Sequence, residues 1–489
     1  MLLGVPDEVK RFFAPVLENC SQPIRKALVA MVLAFLLAPH YRRLKTIAGM
    51  VAGHRVHVAT ISRRLVNPHW KTRDWYVGLY ERFWRETDHW ERQVAPLKKK
   101  DRNKKRQWVL VIDTTYHGTV SECMENTIVM SRRKDPRRRN TRQHAFVMGM
   151  ILTDRGGRIP LPRRSYYTQA YCKKHGKRYR TLNDLAALML KEVSVPEDVE
   201  VTVVFDSAFD AKQVHRVCRN RQFREVFPVD PNRNLAASQH VEASALPGQR
   251  VVAWTRSWAQ EEFELIELQV DNEDHVYHRR RHVDNLRVKK TRRRYAVAAR
   301  RTAVSHLGAC LIVASYKENP QVDLLPGQSA DWWAYHTPEV PRLKKGKKIP
   351  ARWHGKVLAC TDEHATALQV IQWYELRWQV ELLFRELKSR MQLGCYVLMK
   401  FEAVERYLDF LLMGFLLLEK QRLEDMQQSG PPSERGGQPW VQARVTDRLR
   451  NLEAVIHEFN LRHIEMALQT KAGRQRLLQA LRQGLCRVA

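Results

Sequence analysis

Two short runs constrain this chain more than any other feature of it. Trp108–Ile112 and Val201–Phe205 are almost wholly apolar, and each stops at an acid, Asp113 and Asp206. Continuous apolar runs of this length read as strands buried on both faces, because a strand with one wet face alternates. The segments around them extend the pattern. His144 to Thr153 and Arg158 to Tyr167, split by Arg155-Gly156-Gly157, read as a hairpin. Leu182 to Val193 and Ala211 to Arg221 read as helices, and Glu225 to Val229 as a further strand. That order predicts an α/β core. A carboxylate at the edge of a hydrophobic sheet is costly to desolvate unless something positive meets it. Either aspartate alone could simply begin a loop. The pair, on strands expected to be neighbours, points to a hard cation such as Mg²⁺, which takes oxygen ligands.

The flanks differ from this core. From Glu8 to about Val94 the pattern is helical. Leu44, Ile47 and Ala48 form one apolar stripe, a break follows at Gly49 to Gly53, and Val58, Ile61 and Leu65 form another. This predicts either a helical hairpin of a bundle or a helix-turn-helix whose second helix offers His57, Thr60, Arg63 and Arg64 to DNA. Lys98 to Arg106 is a basic linker. Between Asn232 and Ile349, short strands (Val251 to Thr255, Phe263 to Val270, Ala309 to Tyr316) alternate with charged loops, predicting a mostly β insertion. It carries the clusters Arg279 to Arg281, Arg292 to Arg294 and Lys344 to Lys348. Lys356 to Cys360 reads as a returning strand, Ala365 to Met391 as one long helix without Gly or Pro, and Phe401 to Arg422 as an apolar helix. A linker at Gln427 to Gly437 and a charged helical tail from Val441 to Ala489 end the chain. The expected segments are 1–97, helical and DNA-binding; 98–231 and 356–426, the two parts of the core; 232–355, the insertion; and 427–489, linker and tail.

Charge narrows the partner. Lys plus Arg number 84 against 52 acids, a net charge of +32, in a chain of 489 residues whose cations recur from Lys10 to Arg487. A surface this positive repels itself unless a polyanion neutralises it, and nucleic acid is the usual one. The eight cysteines contain no C-x-x-C pair, which argues against a zinc cluster and a disulfide framework and fits a reducing cytosol. Ala27 to Ala38 and Leu408 to Leu418 are shorter than the ~20 apolar residues of a membrane span. A soluble, cytoplasmic protein is expected.

The most specific pattern lies on the long helix. Tyr374, Arg377, Glu381 and Lys388 are spaced by three, four and seven residues, which puts them within an arc of roughly 60° on a regular helix. Leu376, Val380, Leu383 and Leu387 make the opposing core stripe. A glutamate flanked by a phenol, a guanidinium and an ammonium suits a metal ligand beside groups that grip phosphate.

This Y-x2-R-x3-E-x6-K pattern, downstream of Ile112-Asp113-Thr114 and Phe205-Asp206-Ser207-Ala208, resembles the bacterial insertion-sequence transposases of the IS-four type over about residues 108 to 420. The resemblance implies a ribonuclease-H-like core with a carboxylate (DDE) triad. It implies metal-dependent cleavage and joining at transposon ends, and a dimer or larger synaptic complex on double-stranded DNA. Carried over by position, Asp113, Asp206 and Glu381 would hold two Mg²⁺ ions, with Mn²⁺ an expected substitute. Tyr374, Arg377 and Lys388 would contact DNA near the cleaved phosphate. Some relatives stack a flipped base on a Trp of the strand before the long helix. Here Lys356 to Cys360 has none, so Trp353, Trp333 and Trp254 are the candidates, against their being core of the insertion. A ribonuclease-H-like nuclease that cleaves without joining, and a non-catalytic DNA-binding derivative, are the competing classes.

Overall fold

The computed structural model describes residues 7–18, 20–37, 58–94, 105–119, 123–130, 141–154, 156–237, 246–277, 284–318, 353–391, 393, 398–429 and the single positions 469 and 475. The stripe at Leu44 to Ala48, Arg279 to Arg281, Lys344 to Lys348, Trp333, most of the basic linker and the 441–489 tail as an element lie outside them, as do the side chains of Trp353 and Arg292.

The expected buried strands are long. They are β1 (Arg106–Thr119) and, in chain order, β2 (Ile128–Met130), β3 (Thr141–Leu152), β4 (Arg158–Pro160), β5 (Arg164–Ser165), β6 (Val199–Phe205) and β7 (Arg224–Pro228). Then follow β8 (Glu264–Tyr277), β9 (Asp284–Val304), β10 (Gly308–Glu318) and β11 (Trp353–Cys360). All belong to one mixed sheet of order β2-β3-β1-β6-β7-β11-β10-β9-β8, with β4 and β5 also on β3. β3 runs antiparallel to β1, while β6 and β7 run parallel to it. Val109 to Ile112 and Val203 to Phe205 are buried, as strands covered on both faces require. β11 pairs antiparallel with β7, and β10, β9 and β8 continue from it. The strands expected of an insertion thus prolong the central sheet.

One of those strands is a helix. Residues 251–255 form a short helix, not the expected strand. Its buried side chains, Val251, Trp254 and Thr255, fall at i, i+3 and i+4, one helical face, where a strand would bury alternate residues. Trp254 is fully buried against Trp258 at 5.0 Å between ring centroids. It packs the core and is not free to stack on a base, as the alternative reading held.

The helices fall into groups along the chain. α1 (Asp7–Glu18), α2 (Gln22–Leu37), α3 (Val58–Val66) and α4 (Thr72–Val94) precede the sheet. α5 (Gln169–His175), α6 (Leu182–Glu192) and α7 (Lys212–Asn220) lie between its strands, and α8 is the short helix Val251–Thr255. After β11 come α9 (Ala367–Glu375), α10 (Trp378–Arg385) and α11 (Phe401–Ser429). α11 is buried on all sides from Tyr407 to Glu419 and runs past the expected end at Arg422. A helix apolar all round must be covered all round, and α2, α3, α4 and β4 pack against it. Contact with α2 is close at Gly414, where a Cβ would stand 2.5 Å from Leu36 Cδ2. Residues of the expected segment 1–97 therefore share a core with those of 356–426.

Buried ion pairs clasp α11 to the sheet. Arg163 Nε lies 2.8 Å from Asp409 Oδ1, and Arg163 Nη1 donates to Ser165 Oγ (2.6 Å) and Glu405 Oε1 (3.2 Å). Thr72 Oγ1 donates to Asp409 Oδ2 at 2.7 Å, tying α4 to the same point. Farther along, Arg158 Nη2 donates to Glu419 Oε2 at 3.1 Å and Arg422 Nε to Glu419 Oε1 at 2.7 Å.

Candidate active site

The register of β1 on β6 pairs Ile112 with Phe205. The next residue after each is the aspartate, so Asp113 and Asp206 stand side by side where β6 ends. β1 continues past Asp113 along β3 to Thr119, whereas the chain leaves the sheet directly after Phe205. Asp113 Oδ1 accepts from Thr114 N (2.7 Å), and Asp206 Oδ1 accepts from Ser207 N (2.8 Å), where it caps the single 3₁₀ turn Ser207–Phe209. One oxygen of each carboxylate is thus committed to the amide of the next residue, within β1 for Asp113 and at the start of the turn after β6 for Asp206.

The third acid arrives on a helix that is not continuous. In place of one helix from Ala365 to Met391, α9 ends at Glu375, α10 begins at Trp378, and a π-turn spans Glu386–Arg390. No Gly or Pro marks the joint. There the amides of Leu376, Arg377, Gln379 and Val380 bond to carbonyls three residues back, at 2.9–3.3 Å. The chain tightens by 3₁₀ geometry at Arg377 and loosens at Glu386, where Met391 N bonds to Glu386 O five residues back (2.9 Å).

Arg377, at the joint, joins the acids. Its Nη2 donates to Glu381 Oε1 at 2.5 Å, and its Nη1 lies 3.4 Å from Asp113 Oδ2. Its guanidinium also lies over the Tyr374 ring at 5.8 Å. Lys356 on β11 donates to Tyr374 Oη at 3.1 Å, with its ammonium 4.9 Å from that ring. Burial pushes the Asp113 carboxyl up to about 6; the Thr114 amide and Arg377 pull it down, and the neighbouring Asp206 and Glu381 charges push it up again. Burial lowers the Lys388 ammonium, against the attraction of Asp113. Asp113, Asp206, Arg377, Glu381 and Lys388 thus lie within one electrostatic neighbourhood, with Tyr374 attached through Arg377.

Among the described residues, no three or more His, Cys, Asp or Glu side chains close a metal cage by themselves. Between Asp113 and Glu381 the reason is visible, because the Arg377 guanidinium stands there. The donor chemistry nevertheless fits a hard divalent cation. All three acids offer only carboxylate oxygens, and the Asp113 carboxyl is raised chiefly by its burial, with Asp206 and Glu381 adding to the rise.

The other residues expected to bind DNA are distributed unevenly. Arg63 is exposed on α3, whereas Arg64 is half-buried, 5.8 Å from the Trp70 ring. Arg293 pairs with Glu375, which also accepts from Tyr295 Oη at 2.5 Å, and Arg294 Nη1 lies 3.5 Å from Glu318. Both arginines are engaged within the protein.

Sequence reasoning passed over one group behind Asp206. Asp210, His215 and Glu225 are all buried. His215 Nε2 lies 2.9 Å from Asp210 Oδ1 and Nδ1 lies 2.5 Å from Glu225 Oε2, while Asp210 Oδ2 accepts from Asp230 N at 3.0 Å and Asp210 also pairs with Arg233. Although burial opposes its charge, the two carboxylates raise the His215 imidazole to about 9. The network ties the loop after β6, four residues beyond Asp206, to β7. Glu225, an acid inside an apolar strand, was the available signal.

Residues 171–414, just under half of the chain, match the family model of the transposase DDE domain. The match supports a DDE transposase. A transposase DDE domain implies a ribonuclease-H-like fold, and the mixed sheet with helices around it agrees with that. Asp206, Tyr374, Arg377, Glu381 and Lys388 fall inside the matched residues. Asp113 precedes them and is brought beside Asp206 by the pairing of β1 with β6. No curated relative matches the chain. Among the described residues, no helix is long and apolar enough to cross a membrane.

Proposed function

We propose that the protein cleaves double-stranded DNA at the terminal inverted repeats of a mobile element of the IS-four type and joins the freed ends to target DNA. It would do so as a homodimer on paired ends. The observation that carries this reading is the arrangement of Asp113, Asp206, Arg377 and Glu381: two acids side by side on paired parallel strands, and a third linked to the first through one guanidinium.

Asp113, Asp206 and Glu381 would hold two Mg²⁺ ions, for which Mn²⁺ can substitute. Bound there, such ions would supply Lewis-acid stabilisation of the scissile phosphate and a more acidic attacking oxygen. The protein's own groups do the rest. Arg377 balances Asp113 and Glu381 in the free protein. On DNA its planar fork suits a bidentate phosphate contact, which would release both acids to the cations. Lys388 adds a second positive group on the same side. Tyr374, held by Lys356, keeps Arg377 in place and offers its hydroxyl to the backbone. The buried Asp210–His215–Glu225 group fixes the loop that carries Asp206. Recognition of the terminal repeat falls to the N-terminal helices, where Arg63 is exposed on α3.

The test is cleavage and joining of duplexes carrying the element's ends, in Mg²⁺, with Asp113→Asn, Asp206→Asn and Glu381→Gln made singly. Each should lose at least ~10³-fold in the cleavage rate, the scale expected when electrostatic stabilisation of the transition state is removed. End binding should be retained, and no variant should melt below the unaltered protein. Near-normal cleavage by any one of them removes that residue from the site. Cleavage by the unaltered protein without any joining would favour a simple nuclease.

A further inference from the structure

Most arginines around the sheet are committed to acids of the same protein. Arg293 pairs with Glu375, Arg300 with Glu262 and Arg224 with Glu200. One segment is different. Residues 173–180 carry Lys173, Lys174, Lys177, Arg178 and Arg180, and there is no acid from Tyr166 to Asn183. Lys173, Lys174, Arg178 and Tyr179 are exposed. Lys174 approaches Glu125 at 3.7 Å, but that carboxylate is held more closely by Lys400 at 2.8 Å. Among the described residues, Lys173, Arg178 and Arg180 make no ion pair or side-chain hydrogen bond.

The segment is built rigidly. Thr168 caps the start of α5, and Gly176 closes it at φ 62°, a left-handed conformation that favours glycine. Lys177 N then bonds to Cys172 O at 3.0 Å, and the Lys177 ammonium rests over the rings of Tyr167 (4.3 Å) and Tyr171 (5.3 Å). Thr181 opens α6 with a reciprocal capping box to Asp184. Both ends are therefore pinned, and among the described residues Lys173, Arg178 and Arg180 are held between them without an ion pair. Holding like charges together in this way has an electrostatic cost that an external polyanion removes.

Its position is informative. β5, which leads into α5, pairs Ser165 with Phe146 on β3, and Phe146 pairs with Thr115 on β1, two residues beyond Asp113. Tyr166, directly after β5, brings its hydroxyl to 3.3 Å from that of Tyr179. Ser165 thus stands two strand spacings from Thr115, roughly 10 Å across the sheet, and the segment is tied through Tyr179 and Tyr166 to the same end of the sheet as Asp113.

We propose that residues 173–180 form a docking strip for the phosphate backbone of duplex DNA, flanking the candidate active site. This rests on the transposase reading. The strip would hold either the element's end beside the cleaved bond or the target duplex at joining. Being backbone contacts, its interactions position DNA and carry no base preference.

The test uses the full chain with Lys173, Arg178 and Arg180 all changed to Gln, next to the unaltered protein and an R178K/R180K control. Affinity is measured for duplexes of about 30 base pairs, one carrying a terminal repeat and one of arbitrary sequence, from ~50 to ~200 mM KCl. Joining of pre-cleaved ends to target DNA is measured in parallel. If the strip holds the element's end, the triple variant binds the terminal duplex at least ~10-fold more weakly. The slope of log affinity against log salt then falls by about 2 to 3, since each phosphate contact contributes ~0.9. If it holds target DNA, end binding and cleavage stay intact and joining falls by at least ~10-fold. In both cases R178K/R180K behaves as the unaltered protein and melting temperatures agree. A triple variant that matches the unaltered protein in affinity, salt slope and joining overturns the strip alone. Failure of the unaltered protein to bind either duplex overturns the transposase reading and the strip with it.

Discussion

The clasp on α11 and the group around Asp113 on β1 both bury acids against arginine, and they balance charge differently. At the clasp, Asp409 and Glu405 each meet Arg163 within 3.2 Å, and Glu419 has both Arg158 and Arg422. Burial pushes the Glu405 carboxyl up, but Arg163, Ser165, Lys177 and Tyr167 together hold it below its usual range. Around Asp113, one guanidinium serves both Asp113 and Glu381, and Asp206 has no ion pair among the described residues. Burial raises Asp113 to about 6, with Arg377 pulling it down and the neighbouring acids adding to the rise; burial likewise raises Asp409 at the clasp, against Arg163 and Thr72. The clasp pairs each of its acids with arginine. The second group has one guanidinium for three acids, which suits a place where cations and a phosphate group meet.

Breaking the clasp should have the largest effect on folding. Arg163→Ala leaves Asp409 and Glu405 buried without their partner, a change that costs about 3–5 kcal/mol. Urea denaturation should show that loss, while the fraction still folded cleaves at the normal rate. Loss of cleavage without loss of stability would erase the distinction between the two regions.

His215 tests a third, balanced cluster. Its folded value of about 9 lies above an unfolded value of ~6.5, so its contribution is fully present below pH ~6.5 and is lost as pH rises through about 9. The difference corresponds to roughly 3 kcal/mol. Glu91, pushed up by burial to about 8, adds a fall in the same direction. Thermal melts from pH 6.5 to 9.5 should show stability declining for the native protein and a shallower decline for His215→Gln. Parallel pH profiles would mean that His215 is not charged in the folded state.

Asp113→Asn should act in the opposite sense to Arg163→Ala. A carboxyl raised to about 6 favours folding while protonated and loses that contribution as pH rises through 6. Removing the charge should therefore stabilise the free protein by about 1–3 kcal/mol at pH 7.5, while cleavage is lost. Destabilisation instead would show that the acid is structural, like those of the clasp.

The parts readable in the sequence were those fixed by local pattern. Apolar runs ending in Asp113 and Asp206 became paired strands because a continuous buried run has few other places to go. The stripe from Tyr374 to Lys388 survived because the tight turn at Arg377 and the loose one at Glu386 offset one another. The break itself was invisible, since the 3₁₀ bonds arise from packing and not from Gly or Pro. Residues 251–255 misled because two valines suit a strand, and only the buried set at i, i+3 and i+4 distinguishes a helix. Arg293 and Arg294 read as DNA contacts because their partners, Glu375 and Glu318, lie more than twenty residues away in the chain. The network at His215 had no periodic signature at all.

The central claim is that Asp113, Asp206 and Glu381 share a cation site. Melting temperature measured against Mg²⁺ concentration tests it without DNA. The native protein should rise in stability, by about 2.7 kcal/mol at a hundredfold excess over its dissociation constant, and Asp206→Asn and Glu381→Gln should each abolish the rise. A rise that persists undiminished in both variants, or none in the native protein up to tens of millimolar, contradicts the account.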